Sequence, residues 1–341
     1  MATPWILVVY LLAQSPAAGP ADAPSRLPAG LGPGDSFALE LKYSNDWEAA
    51  DIQLDNPQGH GRPLTPAQLK AIRENPRGGT RLARPELRFV PRGNDPLVIE
   101  VVLRGAITDG RRLVIVPAIS LVHYFDDRGR DWTLSPSKED VEPRATEIIR
   151  RAASTWTPDL ADTLEKEMLE EQLLGAGVAL LHDVNLEAAV DPETGDGSFP
   201  EMERLVAGRL PREFPEALRG RVGDFWKETL ARTLAPPATW EAKLAVGRAF
   251  EARGISYKVE KLQRLKDSVS VRLTGSRPKD AGGRTYRENT LCEPRTGLII
   301  ESSGISVRDS QSGPTTWVGA TRWSAKLLAF KKAKPPASRR K

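Results

Sequence analysis

Phe37, Leu39, Leu41 and Tyr43 alternate with Ala38, Glu40 and Lys42, the period of a strand with one buried face. Residues 97–103 (LVIEVVL) and 113–125 (LVIVPAISLVHYF) are Val/Ile-rich and are separated by turn signals at 108–110 and 126–129. This spacing predicts an antiparallel meander with buried faces, with an edge or bulge at Pro117. Helical signals are interleaved with these strands. Thr65-Pro66-Ala67-Gln68 supplies a cap, a Pro at the first helical position and a Gln three residues on, which predicts a short helix to Glu74. Residues 144–153 and 157–174 have helical spacing, and Thr157-Pro158-Asp159 reads as the start of the second helix. A strand over 177–190, through Val184, Leu186 and Val190, and a helix over 224–234 complete the middle of the chain.

The last third alternates most regularly. Trp240, Ala242, Leu244, Val246 and Phe250 predict one strand; Ile255, Tyr257 and Val259 a second; Val269, Val271 and Leu273 a third. Runs at 284–292, 298–309 and 315–330 add three more. The fold class is therefore α+β: antiparallel and β-rich, with a long C-terminal meander curved into a half-barrel and an acidic central helical segment. The organisation divides as a signal peptide over 1–23, a linker over 24–34, a β-rich unit over 35–140, helices over 141–235, the meander over 236–330 and a disordered basic tail over 331–341.

Two segments share the form acid-Pro-x-Thr-Gly: Asp191-Pro192-Glu193-Thr194-Gly195 and Glu293-Pro294-Arg295-Thr296-Gly297. Pro fixes φ and Gly supplies a positive φ, so both are turns. The second, with Tyr257, Glu260 and Leu262 before it and Leu298-Ile299-Ile300-Glu301-Ser302 after it, resembles the strand-turn-strand pattern of uncharacterised exported bacterial proteins. Such proteins are often built on an open β-barrel similar to the periplasmic lipoprotein carriers. The resemblance covers the last 100 or so residues and implies that fold, without any catalytic residue.

Charge and compartment refine this picture. The apolar run over 6–13 (ILVVYLLA) is followed by the small residues SPAAGPADAPS, the layout of a signal sequence and its cleavage zone, although residues 1–18 contain no Lys or Arg. A periplasmic or secreted location follows as an expectation. The net charge of +4 belongs to the tail, where Lys331, Lys332, Lys334, Arg339, Arg340 and Lys341 meet no acid. Residues 126–203 carry 20 Asp or Glu against 7 Lys or Arg, whereas 204–330 carry 23 Lys or Arg against 13 acids. These halves are complementary and their fields cancel on packing, so no nucleic acid partner is expected. Cys292 stands alone, which excludes an intrachain disulfide and marks it as a small buried hydrophobe.

Candidate chemistry is sparse. Gly34-Asp35-Ser36 has the form of an esterase nucleophile block, but no Asp lies three residues before His60, His123 or His182, so the partner block is missing. Ser135-Pro136-Ser137-Lys138 matches S-x-x-K, yet Pro136 and Pro143 crowd the helix that this chemistry needs. Asp191, Glu193 and Asp196 could offer oxygens to Ca²⁺ from one loop. The three histidines lie about sixty residues apart, too dispersed to read as a zinc site, and His123 reads as a hydrogen-bonded strand residue.

These features lead to an exported, non-enzymatic, monomeric envelope protein without a membrane span in its mature chain. Its curved sheet would bind an apolar or lipid-like ligand, or a protein partner, through Trp240, Phe250, Tyr257, Trp317 and Trp323. The alternatives are a hydrolase using paired carboxylates or Ser135, and a calcium-stabilised interaction module.

Overall fold

The computed structural model describes residues 27–52, 97–108, 112–125, 131–136, 140–160, 163–190, 197–240, 244–264, 269–278, 284–312 and 315–333. The Thr65 helix, the signal segment and the Asp191 turn lie outside them.

In chain order the elements are β1 (Ser36–Ile52), β2 (Leu97–Ile107), β3 (Leu113–Tyr124), β4 (Trp132–Leu134), α1 (Val141–Ala153), α2 (Thr163–Ala179), β5 (Leu186–Val190), β6 (Gly197–Ser198), α3 (Met202–Arg209) and α4 (Glu216–Ala231). A 3₁₀ turn at Pro237–Thr239 leads into β7 (Ala249–Ala252), β8 (Ile255–Arg264), β9 (Val269–Arg277), β10 (Arg284–Cys292), β11 (Ile299–Ser312) and β12 (Thr315–Lys331). The strands form one open antiparallel sheet in the order β6-β5-β3-β2-β1-β12-β11-β10-β9-β8-β7, with β4 beside β3. The expected α+β, β-rich class with a long C-terminal meander is the one observed. The early strands and the meander share this sheet because β1 pairs with both β2 and β12.

Strand patterns explain which face the helices cover. Every second residue of β2, from Leu97 to Ile107, is buried, and so are Phe37, Leu39 and Leu41 beside them on β1. β3 carries Pro117 where neither β4 nor β5 reaches its outer edge, since β5 pairs with residues 113–115 and β4 with 122–124. The turn after α2 fills that gap: Asp183 N–H donates to the Pro117 carbonyl at 2.8 Å, and Ile119 N–H to His182 Nδ1 at 3.0 Å. His123 bonds Thr133 at 2.8 Å.

Several element boundaries differ from the sequence expectation, each for a local reason. Helix α1 begins earlier than 144, because the Asp140 carboxylate caps it by accepting from Glu142 N–H and Pro143 is tolerated in the first turn. Thr157-Pro158-Asp159 closes a turn instead of starting a helix, with Leu160 N–H donating to the Thr157 carbonyl. Helix α2 runs on to Ala179, through residues expected to begin a strand. Its glycines allow close packing on two sides: a Cβ at Gly175 would lie 2.7 Å from Leu97 of the sheet, and one at Gly177 would lie 3.0 Å from Val222 of α4. A segment buried all round has no amphipathic period to betray the helix. Helix α4 starts at Glu216, ahead of the expected 224, and α3 was not foreseen.

The strand expected over Trp240 to Phe250 shrinks to β7. Pro236 and Pro237 set up the 3₁₀ turn, Trp240 N–H donates back to the Pro237 carbonyl, and Gly247 turns the chain at φ +85°. The linker and tail boundaries also move. Leu31 is buried, Gly30 N–H donates to the Arg295 carbonyl, and Lys331 closes β12. The Glu293 turn is as expected: Gly297 has φ +63°, its N–H donates to the Glu293 carbonyl at 2.8 Å, and Pro28 and Trp240 pack where its side chain would be. Cys292 is buried, which pushes its thiol up to about 12 and leaves it inert.

Candidate ligand cavity

Antiparallel register brings residues that are distant in sequence into rows across the sheet, and rows two residues apart point to the same face. On the helix-covered face, one row reads Arg277 (β9), Tyr286 (β10), Ser306 (β11), Thr321 (β12) and Asn45 (β1). The next reads Tyr257, Gly275, Glu288, Gly304, Trp323 and Tyr43, from β8 through β12 to β1. The third, Val259, Leu273, Thr290, Ser302, Ala325 and Leu41, is buried in the core.

The middle row shapes the floor. Trp323 lies across Gly304, where a Cβ would come within 2.6 Å of the indole, while Tyr257 and Glu288 lie over Gly275, within 2.9 and 2.7 Å of a Cβ placed there. Glycine at these two positions lets large side chains lie flat on the sheet and leaves space above them. That space is a cavity of about 540 Å³. Helix α4 lines the opposite wall with Arg221, Asp224, Phe225 and Glu228, spaced so that they share one helical face; Arg232 follows at its C-terminus, and α2 adds Glu171 and Leu174.

Charges on the helix wall are mostly paired. Arg221 bridges Glu170 at 2.7 Å and Glu171 at 2.9 Å, tying α4 to α2, and Arg232 bonds Glu228 at 3.1 Å while its guanidinium sits 4.5 Å over the Trp323 ring. The Arg221 pairs thus join the acidic segment to the basic one. Arg253, at φ +55° in the β7–β8 turn, donates to the Ala231 and Leu234 carbonyls, locking the end of α4 to the sheet.

The phenols of Tyr43, Tyr257 and Tyr286 are all pushed well above the ordinary range, first by burial and then by nearby carboxylates: Glu171 and Glu228 for Tyr43, and Glu288 for the other two. They remain O–H donors across the physiological range, and Tyr286 donates to Glu288. Tyr43 also meets Phe225 edge-on at 5.4 Å. Among the described residues, three buried polar atoms of the lining have no hydrogen-bond partner: Arg277 Nε and Trp323 Nε1 on the sheet, and Glu171 Oε2 on α2.

Of the aromatic residues singled out from the sequence, Tyr257 and Trp323 line this cavity. Phe250 stacks on Tyr257 at 5.4 Å and 17° without reaching it, and Trp240 sits apart, its indole N–H donating to the Ala235 carbonyl at 3.0 Å. The Trp317 side chain lies outside the described residues, as do Asp191, Glu193 and Asp196; among the described residues no cluster of potential metal ligands forms. Ser135 follows β4 and is not part of the cavity lining. The Asp35 carboxylate of the esterase-like triplet is buried and accepts from Gly32 N–H, Lys332 Nζ and Ala333 N–H, each at 2.8 Å, a role in joining the segment before β1 to the segment after β12.

Sequence reasoning missed Arg277, Glu288, Tyr286, Glu171 and Arg221. The available signal was the pair of glycines inside strand patterns, Gly275 in LTGSR and Gly304 in SSGIS, which mark places where something large approaches the backbone.

No family model matches the chain, and no curated protein matches it. A solved structure described as lipid–protein interactions in lipovitellin is similar to it at a TM-score of 0.43 and 8% sequence identity, over 90% of this chain and 26% of that one. The chain therefore spans about a quarter of the length of that structure.

Proposed function

We propose that the chain is an exported, non-enzymatic binding protein of the bacterial envelope, which holds a lipid-like, amphipathic ligand between its C-terminal meander and helices α2 and α4. The observation that carries this reading is the row of aromatic side chains laid over glycines, which floors a cavity of about 540 Å³. That volume is in the range of small-molecule sites, roughly 300–1,000 Å³. Trp323, Phe225, Leu174 and Ile255 supply apolar wall, and arginines and carboxylates supply polar wall, so a ligand with both characters matches the lining. Export rests on the apolar run over 6–13 and the small residues after it.

Native mass spectrometry of the full chain purified from the periplasm of a Gram-negative host, followed by denaturing extraction, tests the proposal. A shortened N-terminus together with a co-purified amphiphile is the expected result. A protein that arrives empty and takes up no amphiphile from mixed micelles refutes the binding reading, and a chain retained uncleaved in the cytoplasm refutes export.

A further inference from the structure

Among the described residues, the sheet wall of the cavity contains a cation without a counter-charge. The Arg277 side chain has no hydrogen-bond or ion-pair partner among the described residues, and its Nε is fully buried. A buried guanidinium N–H without a partner is destabilising, and buried polar atoms in folded proteins nearly always have one. The nearby acid does not serve: Glu288 lies over Gly275, accepts from Tyr286 and Thr290, and forms no ion pair with Arg277. Arg277 belongs instead to the hydroxyl-bearing row with Tyr286, Ser306 and Thr321, all of which line the cavity.

We infer that this corner of the cavity is an oxyanion subsite, in which the Arg277 guanidinium binds a carboxylate or phosphate group that the described residues do not provide. The planar fork of an arginine matches both groups through paired N–H···O bonds, and the neighbouring Ser306 hydroxyl offers a further donor, while those of Tyr286 and Thr321 already donate to Glu288 and Asn45. The identity of the anion's carrier rests on the amphiphile reading above: a head group would sit at Arg277 while its apolar part runs over Trp323 toward Phe225 and Leu174. A free anion would use the same donors without the apolar wall.

Fluorescent cis-parinaric acid, its methyl ester and inorganic phosphate separate these cases when titrated into the full chain and its Arg277→Met and Arg277→Lys variants. The acid is expected to bind wild type roughly tenfold or more tightly than the ester, as a charge-assisted bond would give. That preference should vanish in Arg277→Met, survive in part in Arg277→Lys, and leave ester affinity unchanged. Equal binding of acid and ester to wild type overturns the subsite while leaving the amphiphile reading intact, and this comparison needs no variant to fold. Persistence of the preference in Arg277→Met removes Arg277 from the assignment. If neither lipid binds but phosphate raises the melting temperature of wild type and not of Arg277→Met, the subsite stands and the amphiphile reading fails. Absence of any response to all three probes refutes both.

Discussion

Asp35 shows how one side chain can carry a structural role that its sequence neighbours disguise. Burial alone would raise its pKa, but the Lys332 ammonium and the Ala333 and Gly32 N–H groups outweigh that and hold the carboxyl below the usual Asp value. A folded pKa below the unfolded one means that the unfolded chain takes up protons first as pH falls. The stabilisation is therefore complete above about pH 4, the ordinary Asp value, and is lost as pH drops through the lower folded value. Asp35→Ala should cost about 3 kcal/mol at pH 7, since it strips three bonds from a buried cluster. Its stability should also change less than that of wild type below pH 4. Urea melts from pH 7 to pH 2.5 check both, and a parallel acid dependence in the two proteins would remove Asp35 from the account. The triplet Gly34-Asp35-Ser36 hinted at a nucleophile because the partner of Asp35 lies 297 residues away, where no local pattern reports it.

At the scale of elements, alternation exposed the strands and missed what lies between them. β2, β3 and β8 to β12 all coincide with alternating or Val/Ile-rich runs; β2 alternates because one face is buried and the other is less so, and the continuous run of β3 reflects burial on both faces over residues 113–117. Helix α2 escaped over its last turn because it is buried on both sides, and the Trp240 stretch alternates in sequence although Trp240 caps a 3₁₀ turn and β7 starts at Ala249. Register was not legible at all, and with it went the cavity: which residue of β10 faces which residue of β12 is set by hairpin geometry and one-residue bulges, such as those at Leu291 and Val259. Glycines test this picture. Phe37 lies over Gly105, its cross-strand partner, where a Cβ would approach to 2.1 Å, so Gly105→Ala should destabilise by about 1–3 kcal/mol through overpacking. Gly220, inside α4 with open space around it, should respond oppositely, gaining roughly 0.5–1 kcal/mol as alanine. Denaturant midpoints for the two variants give the comparison, and shifts of the same sign would refute it.

At the scale of the whole sheet, the first and last of the described strands lie side by side at its centre, while its rims are the short strands β6 and β7. Short rims offer little to an outside strand, and the long central pair holds the N-terminal strands and the meander together. The seam between β1 and β12 runs from Ser36 opposite Lys331 to Ile52 opposite Thr315, so the fold cannot close until the C-terminal strand is present, a non-local pairing that slows folding. Just beyond the seam, Asp35 grips Lys332 and Ala333, and Lys332 also reaches the Gly30 carbonyl, fastening the segment before β1 to the segment after β12. A truncation series reads the strength of this fastening. Removing 334–341 leaves all three Asp35 bonds in place and should leave the melting temperature unchanged. Removing 332–341 takes away two of those bonds and should forfeit most of the stability that Asp35→Ala loses. Because both changes act on one cluster, combining them should add less than about 0.5 kcal/mol to the larger single effect. Full additivity would mean that the two segments are held independently, and that Asp35 does not join them.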